Sequence, residues 1–266
     1  MKTTLPTSVL AAVSLLVVMN AAQGQGPFVS GASHAAPTVA THACPRQSAL
    51  KAQVFGNARW VALTSGGKLR CSTDGIAWNS AYLPVERFLR GVTYGNGQFV
   101  AVGGSYLGGG SVILTSVNGR SWNLQHCPSK QVLHAVAYSG NRFIAVGAGG
   151  TILTSKSGRC WQKQNSGTDA TLAAIAFGNG TCVVGGDDGL MLSSCDAQTW
   201  TRQISGISRY VGEIAFKHGC FVATTGDQYL ESRDGAHWQA INGATVPAGG
   251  LLARTNVTVS KVGPAQ

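Results

Sequence analysis

Apolar and polar positions along the chain follow a pattern that recurs about every 39 residues. Each repeat opens with a short apolar segment, passes through a Gly/Asn-rich turn into a second apolar segment, and continues through a glycine-rich turn into a third. Glycine and asparagine accept positive φ and close β-hairpins, so the pattern predicts short antiparallel strands. The opening segments are Leu50–Phe55, Leu89–Tyr94, Leu133–Tyr138, Leu172–Phe177 and Val211–Phe216.

A heptapeptide that begins with Ser and ends with Trp closes the third segment of every repeat. Its first residues are Ser72, Ser116, Ser155, Ser194 and Ser232, and its last are Trp78, Trp122, Trp161, Trp200 and Trp238. The third position is Asp74, Asn118, Ser157, Asp196 and Asp234, and the fourth is Gly75, Gly119, Gly158, Ala197 and Gly235. We interpret these residues as structural, since Ser and Asp bond backbone groups in tight turns and Trp packs between units. Turns with Asn118, Ser157 or Ala197 are expected to be less stable, and a fourth strand is expected to begin at each Trp.

Four strands per repeat define the blade of a β-propeller. The complete repeats cover about 49–87, 88–131, 132–170, 171–209 and 210–246. The sequence therefore predicts an all-β propeller of four-stranded blades, as one domain over residues 25–266. Chain length favours six blades, the sixth shared by strands from 28–42 and from 249–262 with Asn256 at its turn. Five blades is the alternative, and closing the ring matters because it removes exposed strand edges.

The first 24 residues are typical of a cleaved signal peptide. Lys2 is followed by a short apolar run, Val9–Val18, and then by Ala21, Ala22 and Gly24. The run is too short to cross a bilayer, and no later segment is long and apolar enough to do so. The sequence therefore predicts a secreted or periplasmic monomer.

Charge and cysteine usage exclude several function classes. The formal net charge is +10, but the bases are scattered and form no run, so solubility explains them better than a nucleic-acid partner. Seven cysteines include no C-x-x-C pair, and we predict neither a metal site nor a cofactor. Export permits disulfides, the odd number leaves at least one thiol free, and Cys182 and Cys220 are expected to be buried as small apolar residues.

The heptapeptides resemble the Asp-box, also called the bacterial neuraminidase repeat. Residues 143–161 are also similar to repeats of photosystem II assembly and stability factor-like propellers. The resemblance spans about 190 residues and implies a propeller whose boxes lie between strands three and four, away from the usual ligand face. It implies no single activity, because Asp-boxes occur in sialidases, other glycosidases, sortilin-type receptors and non-enzymatic bacterial propellers.

The sequence assigns no catalytic residue. A sialidase resemblance implies an arginine triad, a Tyr/Glu nucleophile pair and an Asp acid, yet an Arg-Ile-Pro motif before the first box is absent. Glycoside hydrolysis needs two opposed carboxylates, and the nearest approach to a nucleophile pair is Glu213 beside Tyr210. A non-enzymatic binding or assembly module is therefore favoured, and a degenerate sialidase-like glycoside hydrolase is the alternative.

A ligand is expected on the face formed by the loops that join strand four to strand one and strand two to strand three. The candidate residues there are Lys51, Arg87, Arg90, Tyr106, His134, Asp187, Asp188, Arg209 and Tyr210. Lys51, Arg90 and His134 align at the second position of their first strands, where they either face a ligand at the channel mouth or bond neighbouring loops. Tyr106 lies in the insertion Gly104–Gly110. Basic and aromatic side chains at a concave mouth suit a protein or an anionic glycan partner.

Overall fold

The computed structural model describes residues 50–105, 110–226 and 228–241. They form a β-propeller of four-stranded antiparallel blades, of which five are described. The strands of each blade follow one another in chain order, so every connection within a blade is a hairpin. The periodic sequence therefore predicted both the fold class and the content of each blade.

The strands are numbered in chain order and occupy the same four positions in every blade. The inner strands are β1 (Leu50–Gly56), β5 (Leu89–Gly95), β9 (Leu133–Tyr138), β13 (Leu172–Gly178) and β17 (Glu213–Lys217). The second strands are β2 (Arg59–Thr64), β6 (Gln98–Ser105), β10 (Phe143–Gly147), β14 (Thr181–Gly186) and β18 (Cys220–Thr224). The third strands are β3 (Leu69–Ser72), β7 (Gly110–Ser116), β11 (Ile152–Ser155), β15 (Met191–Ser194) and β19 (Tyr229–Ser232). The outer strands are β4 (Asn79–Ser80), β8 (Asn123–Gln125), β12 (Gln162–Gln164), β16 (Thr201–Gln203) and β20 (Gln239–Ile241).

Two predicted boundaries were wrong by one or two residues. Strand β17 begins at Glu213 and not at Val211, because the Val211 amide donates to the Gly186 carbonyl of the preceding blade. Each outer strand begins one residue after the Trp and has only two or three residues. Such short outer strands leave little unpaired edge for another chain to extend.

The heptapeptides form the turns between third and outer strands. The Ser72 hydroxyl donates to Asp74 Oδ1 at 2.8 Å and accepts the Gly75 amide at 2.8 Å. Asp74 Oδ1 also accepts the amides of Ile76 and Ala77, at 2.8 and 2.9 Å. These backbone hydrogen bonds lower the pKa of the Asp74 carboxyl to about 2. The carboxylate is thus engaged in holding its own turn.

The substituted turns differ in how much of this network they keep. Asn118 Oδ1 accepts the amides of Arg120 and Ser121, both at 2.9 Å, so the side-chain amide oxygen takes the place of the carboxylate oxygen in both bonds. Ser157 accepts the Arg159 amide at the longer distance of 3.3 Å. Ala197 takes the glycine position at φ 58°, a left-handed conformation that L residues rarely adopt.

Adjacent blades pack through apolar side chains from their inner, second and third strands. Trp122 and Trp161 are buried in clusters that combine blade 1 with blade 2 and blade 2 with blade 3. Trp200 and Trp238 pack in the same way against the next two interfaces. The predicted packing of the Trp side chains between blades is therefore seen at all four described interfaces.

Asparagines at the hairpin between inner and second strands connect blades 1, 2 and 4 to the blade that follows each of them. Asn57 Nδ2 donates to the carbonyls of Gly97 and Val117, both at 2.8 Å, and Asn57 Oδ1 accepts the Tyr94 hydroxyl at 2.6 Å. Asn96 and Asn179 likewise donate to carbonyls of the following blade. All three have φ between 44° and 47°, which asparagine tolerates better than most residues.

Three predictions fall on residues outside the described part of the chain. They are the signal peptide at 1–24, the strands at 28–42 and 249–262 that would supply a sixth blade, and Tyr106 in the insertion.

The six cysteines in the described ranges are free thiols. Cys182 is buried as expected, which raises the pKa of its thiol to about 12, whereas Cys220 is half-buried.

Candidate functional site

The inner strands of all five described blades line a central cavity of about 110 Å³. Lys51, Arg90 and His134 line it from blades 1, 2 and 3, together with Glu213 from blade 5. These side chains come from the beginnings of the inner strands, at the face that the outer-to-inner loops and the second-to-third turns share. The structure therefore brings the three aligned residues of the sequence prediction into one place.

A repeated β-bulge positions these side chains. In blade 1 the pairing passes from Leu50↔Thr64 to Ala52↔Leu63, so Lys51 is the extra residue. Arg90, His134 and Ala173 are the extra residues at the same point of blades 2, 3 and 4. A bulge takes one residue out of the ladder and turns its side chain away from the regular pleat. Here it directs the side chain into the channel mouth.

The five equivalent positions divide the mouth into two unlike halves. Blades 1 to 3 contribute Lys51, Arg90 and His134, while blades 4 and 5 contribute Ala173 and Gly212. Neither of these residues carries a side chain larger than a methyl group, the Tyr210 ring lies beside Gly212, and Glu213 follows Gly212 in the chain. The mouth thus has a basic half, formed by Lys51, Arg90 and His134, and a half with small side chains, here called the open half, which also holds Glu213, the one carboxylate of the described lining.

Burial and neighbouring charges set the protonation of the cluster. Burial, and then the positive charges of Arg90 and Lys51, lower the pKa of His134 to about 4, against a smaller opposing effect of Asp187. The imidazole is therefore neutral at neutral pH, and it contributes a hydrogen-bonding ring and not the positive charge that its alignment suggested. Lys51 is exposed within the mouth, yet loss of surrounding water and then the charge of Arg90 lower the pKa of its ammonium group.

The ring of Phe88, in the loop before β5, lies beside the Arg90 side chain. The Arg90 guanidinium carbon lies 5.2 Å from the centre of the Phe88 ring, within the range of a cation–π interaction. Phe88 is itself 44% exposed. The guanidinium is thus held beside an apolar surface that faces solvent at the rim.

The other predicted ligand residues lie outside the cavity lining. Arg87, Arg209 and Tyr210 are exposed on the loops that precede β5 and β17. Asp187 and Asp188 form a short 3₁₀ turn, in which Asp187 Oδ2 accepts the Thr171 amide at 3.1 Å and Asp188 is exposed at φ 53°. These residues are not part of the cavity lining, but Tyr210 lies beside the lining residue Gly212 and Asp187 acts electrostatically on His134.

The sequence prediction missed two features of the site. Glu213 was weighed only as part of a nucleophile pair with Tyr210, whereas the structure places it in the lining with the basic residues. The bulge was also missed, although a sign of it was present. Gly103, Gly147 and Gly186 lie at or near the ends of the second strands, opposite the bulges of blades 2 to 4, where a Cβ would strike the backbone. A recurrent glycine at a strand end is the signal that could have identified it.

We expect His134 to make the protein sensitive to mild acid. Its pKa is lower in the folded protein than the ordinary value of 6.5, so the unfolded chain binds a proton first as the pH falls. The contribution of His134 to the free energy of unfolding is complete above pH 6.5 and is lost between about pH 6.5 and pH 4. Because solvent screens the charge on this half-buried ring, we expect the free energy of unfolding to fall by about 1 kcal/mol over this pH range.

Urea unfolding of the parent and of His134→Gln at pH 7 and pH 4.5 measures this effect. The variant should lose less stability than the parent between the two pH values. His126→Gln, which removes an exposed histidine, is the matched control and should follow the parent. Equal losses in the parent and in His134→Gln would contradict the assignment.

Comparisons with known proteins identify the fold alone. No protein-family model and no curated protein matches the chain. Among solved structures it is similar to YCF48 bound to D1 peptide, with a TM-score of 0.58 and 15% identity over 76% of this chain and 69% of that chain. YCF48 from Cyanidioschyzon merolae gives 0.57 and 16%, covering 76% and 74%. An ancestral GH74 enzyme gives 0.56 and 18%, covering 73% of this chain and 31% of its own.

The described residues hold few other arrangements that suggest chemistry. No group of three or more His, Cys, Asp or Glu side chains within them could hold a metal ion. Over the same ranges, no helix is long and apolar enough to cross a membrane. The channel mouth is therefore the best candidate site in this part of the chain.

Proposed function

We propose that this protein is an exported, monomeric Asp-box propeller that binds a protein partner by receiving one of its acidic groups in the channel mouth. The observation that supports this most directly is the set of bulges that turn Lys51, Arg90 and His134 into one cavity. Bulges that redirect side chains are common beside functional sites. The signal-like pattern of residues 1–24 supports export.

The size of the cavity favours a protein group over a sugar. Sites that enclose a small molecule have volumes of roughly 300–1,000 Å³. The channel mouth offers about 110 Å³, which suits the end of one side chain or a chain terminus. An anionic glycan could contact the rim, but the cavity does not enclose a sugar ring.

The charges define the group that fits. The planar guanidinium of Arg90 presents forked donors that match a carboxylate or phosphate. The methyl side chain of Ala173 in the open half leaves more room for such a group than a long side chain would. Glu213 at the border favours a group that also donates a hydrogen bond. A similar solved propeller, YCF48, is bound to a D1 peptide, which supports a peptide ligand as one use of this fold.

Catalysis is not part of the proposal. Hydrolysis of a glycoside by the usual mechanism needs a pair of carboxylates, and Glu213 is the one acid among the described cavity-lining residues. If a fluorescent sialoside were nevertheless hydrolysed, and Glu213→Gln abolished the turnover, the hydrolase alternative would replace the binding function.

The test begins with capture of partners from an envelope fraction by the immobilised mature chain. Binding of each purified partner is then measured with the parent, Arg90→Glu and the control Lys163→Glu, which reverses an exposed charge on β12. Reversing a charge inside the mouth should weaken binding by about 10- to 100-fold, and the control should change it little.

A second variant examines the open half of the mouth. Ala173→Leu fills space without changing charge and should also weaken binding. If Arg90→Glu and Ala173→Leu both bind like the parent while remaining folded, the partner does not use the channel mouth and the proposal is wrong. Loss of capture after glycosidase treatment of the partner, but not after protease treatment, would replace the protein partner with a glycan.

A further inference from the structure

The side of each blade that faces the preceding blade is called its leading side. In blades 2, 3 and 5 the heptapeptide glycine lies directly against the second strand of the blade before it. An ideal Cβ on Gly119 or Gly235 would come within 2.5 Å of Val61 or Val183, and one on Gly158 within 3.0 Å of Val100. The leading sides of these blades are therefore closely covered.

The leading side of blade 1 is different. The nearest neighbour of a Cβ on Gly75 is Trp60 of the same blade, at 3.3 Å. Phe55 is 44% exposed, and its ring packs on Trp60 with centroids 4.8 Å apart. Trp60 is half-buried, whereas its counterparts on the other second strands are almost completely buried: Phe99, Phe143, Cys182 and Phe221. The described residues thus leave an aromatic surface on this side of blade 1.

The asparagine connections indicate what covers this surface. Asn57, Asn96 and Asn179 each donate to the carbonyl of the second heptapeptide residue in the next blade, which is Val117, Lys156 and Arg233 respectively. His218 occupies the same left-handed turn position in blade 5, with φ 51°. One repeat further along the chain stands Asn256, followed by Val257–Val262, in which four of the six residues are β-branched. The residue of blade 1 that corresponds to Val117 is Thr73.

We propose that residues 249–262 form two inner strands of a further blade that covers the leading side of blade 1. Asn256 donates to the Thr73 carbonyl, as its counterparts do at three described interfaces. The segment follows β20 in the chain, and its 14 residues, counted from 249 to 262, equal those from Leu89 to Val102, which include the inner strand, the hairpin and most of the second strand of blade 2. The packing of blade 1 supports this arrangement, which does not depend on the function proposed for the channel mouth.

Hydrogen exchange of the full chain tests the proposal without any substitution. Amides of Val257–Val262 should exchange more slowly than in an unstructured peptide by at least about tenfold, as expected for strands in a sheet. Free exchange over this segment overturns the proposal. A sedimentation measurement that shows a dimer, together with free exchange of the segment, would assign the surface of blade 1 to a second copy.

Substitution of the asparagine tests the specific contact. Asn256→Gly keeps the left-handed turn accessible and removes the side chain, so the melting temperature should fall by about 2–4 °C. In this variant, amide hydrogen exchange should become faster in the turn that contains Thr73 and in β2, but not in β10. The control is Asn165→Gly, at an exposed loop residue whose side chain accepts only the nearby Gly167 amide among the bonds described. Equal melting temperatures and unchanged exchange in blade 1 for Asn256→Gly overturn the proposal.

Discussion

Replacing Gly147 by alanine should lower the free energy of unfolding by about 3 kcal/mol. A Cβ at this position would lie 2.1 Å from the Val132 carbonyl oxygen and 2.9 Å from Leu133 Cα. Both atoms belong to backbone, so neither can move aside as a flexible side chain would. The Ala148 amide also donates to that same Val132 carbonyl at 2.9 Å, which holds the two segments together.

The clash falls on the bulge that positions His134. Gly147 pairs with Leu133, and the next pair is Val146 with Ala135. A side chain at Gly147 therefore forces β9 away from β10 at the point where the His134 side chain turns into the channel. We expect the variant to lose stability and to distort one wall of the cavity together.

Thermal and urea unfolding measure the loss, which corresponds to about 6–12 °C in melting temperature for a chain of this size. Gly66→Ala is the matched control, because Gly66 is exposed and the nearest atom to its Cβ would be Thr64 Oγ1 at 3.9 Å. The control should change stability little. Similar behaviour of the two variants would show that close approach at the bulge is not required.

Replacing Phe143 by alanine should cost about 3–5 kcal/mol. The ring is completely buried, and its centroid lies 4.8 Å from that of Tyr138 and 6.5 Å from that of Trp161. It belongs to the apolar cluster between blades 2 and 3, which also contains Val100 and Leu133. Removing the ring leaves a cavity at an interface whose two sides are fixed by their own sheets, so collapse can fill little of it.

The same substitution at an exposed ring provides the control. Phe88→Ala removes a side chain that is 44% exposed and should cost about 1 kcal/mol or less. Phe143→Leu, which keeps most of the apolar volume, should fall between the two. A cost for Phe143→Ala no greater than that for Phe88→Ala would contradict the packing of the interface.

The sequence alone determined the fold, the number of complete blades and the function of the heptapeptides. Each of these depends on interactions that are local in the chain. Ser72 and Asp74 bond amides at most three residues away, and every strand pairs with the next one through a short hairpin. Because such contacts repeat whenever the residues repeat, periodicity was sufficient to predict them.

Only the tertiary structure decided which candidate residues meet. Lys51, Arg90 and His134 come from three blades, and the bulges at Arg90 and His134 lie opposite glycines of the neighbouring strands. Arg209 and Tyr210 are similar in type but lie outside the cavity lining, and Glu213 joins it because β17 begins there. The neutral state of His134 likewise follows from burial beside Arg90, which is far away in the chain and close only in the fold.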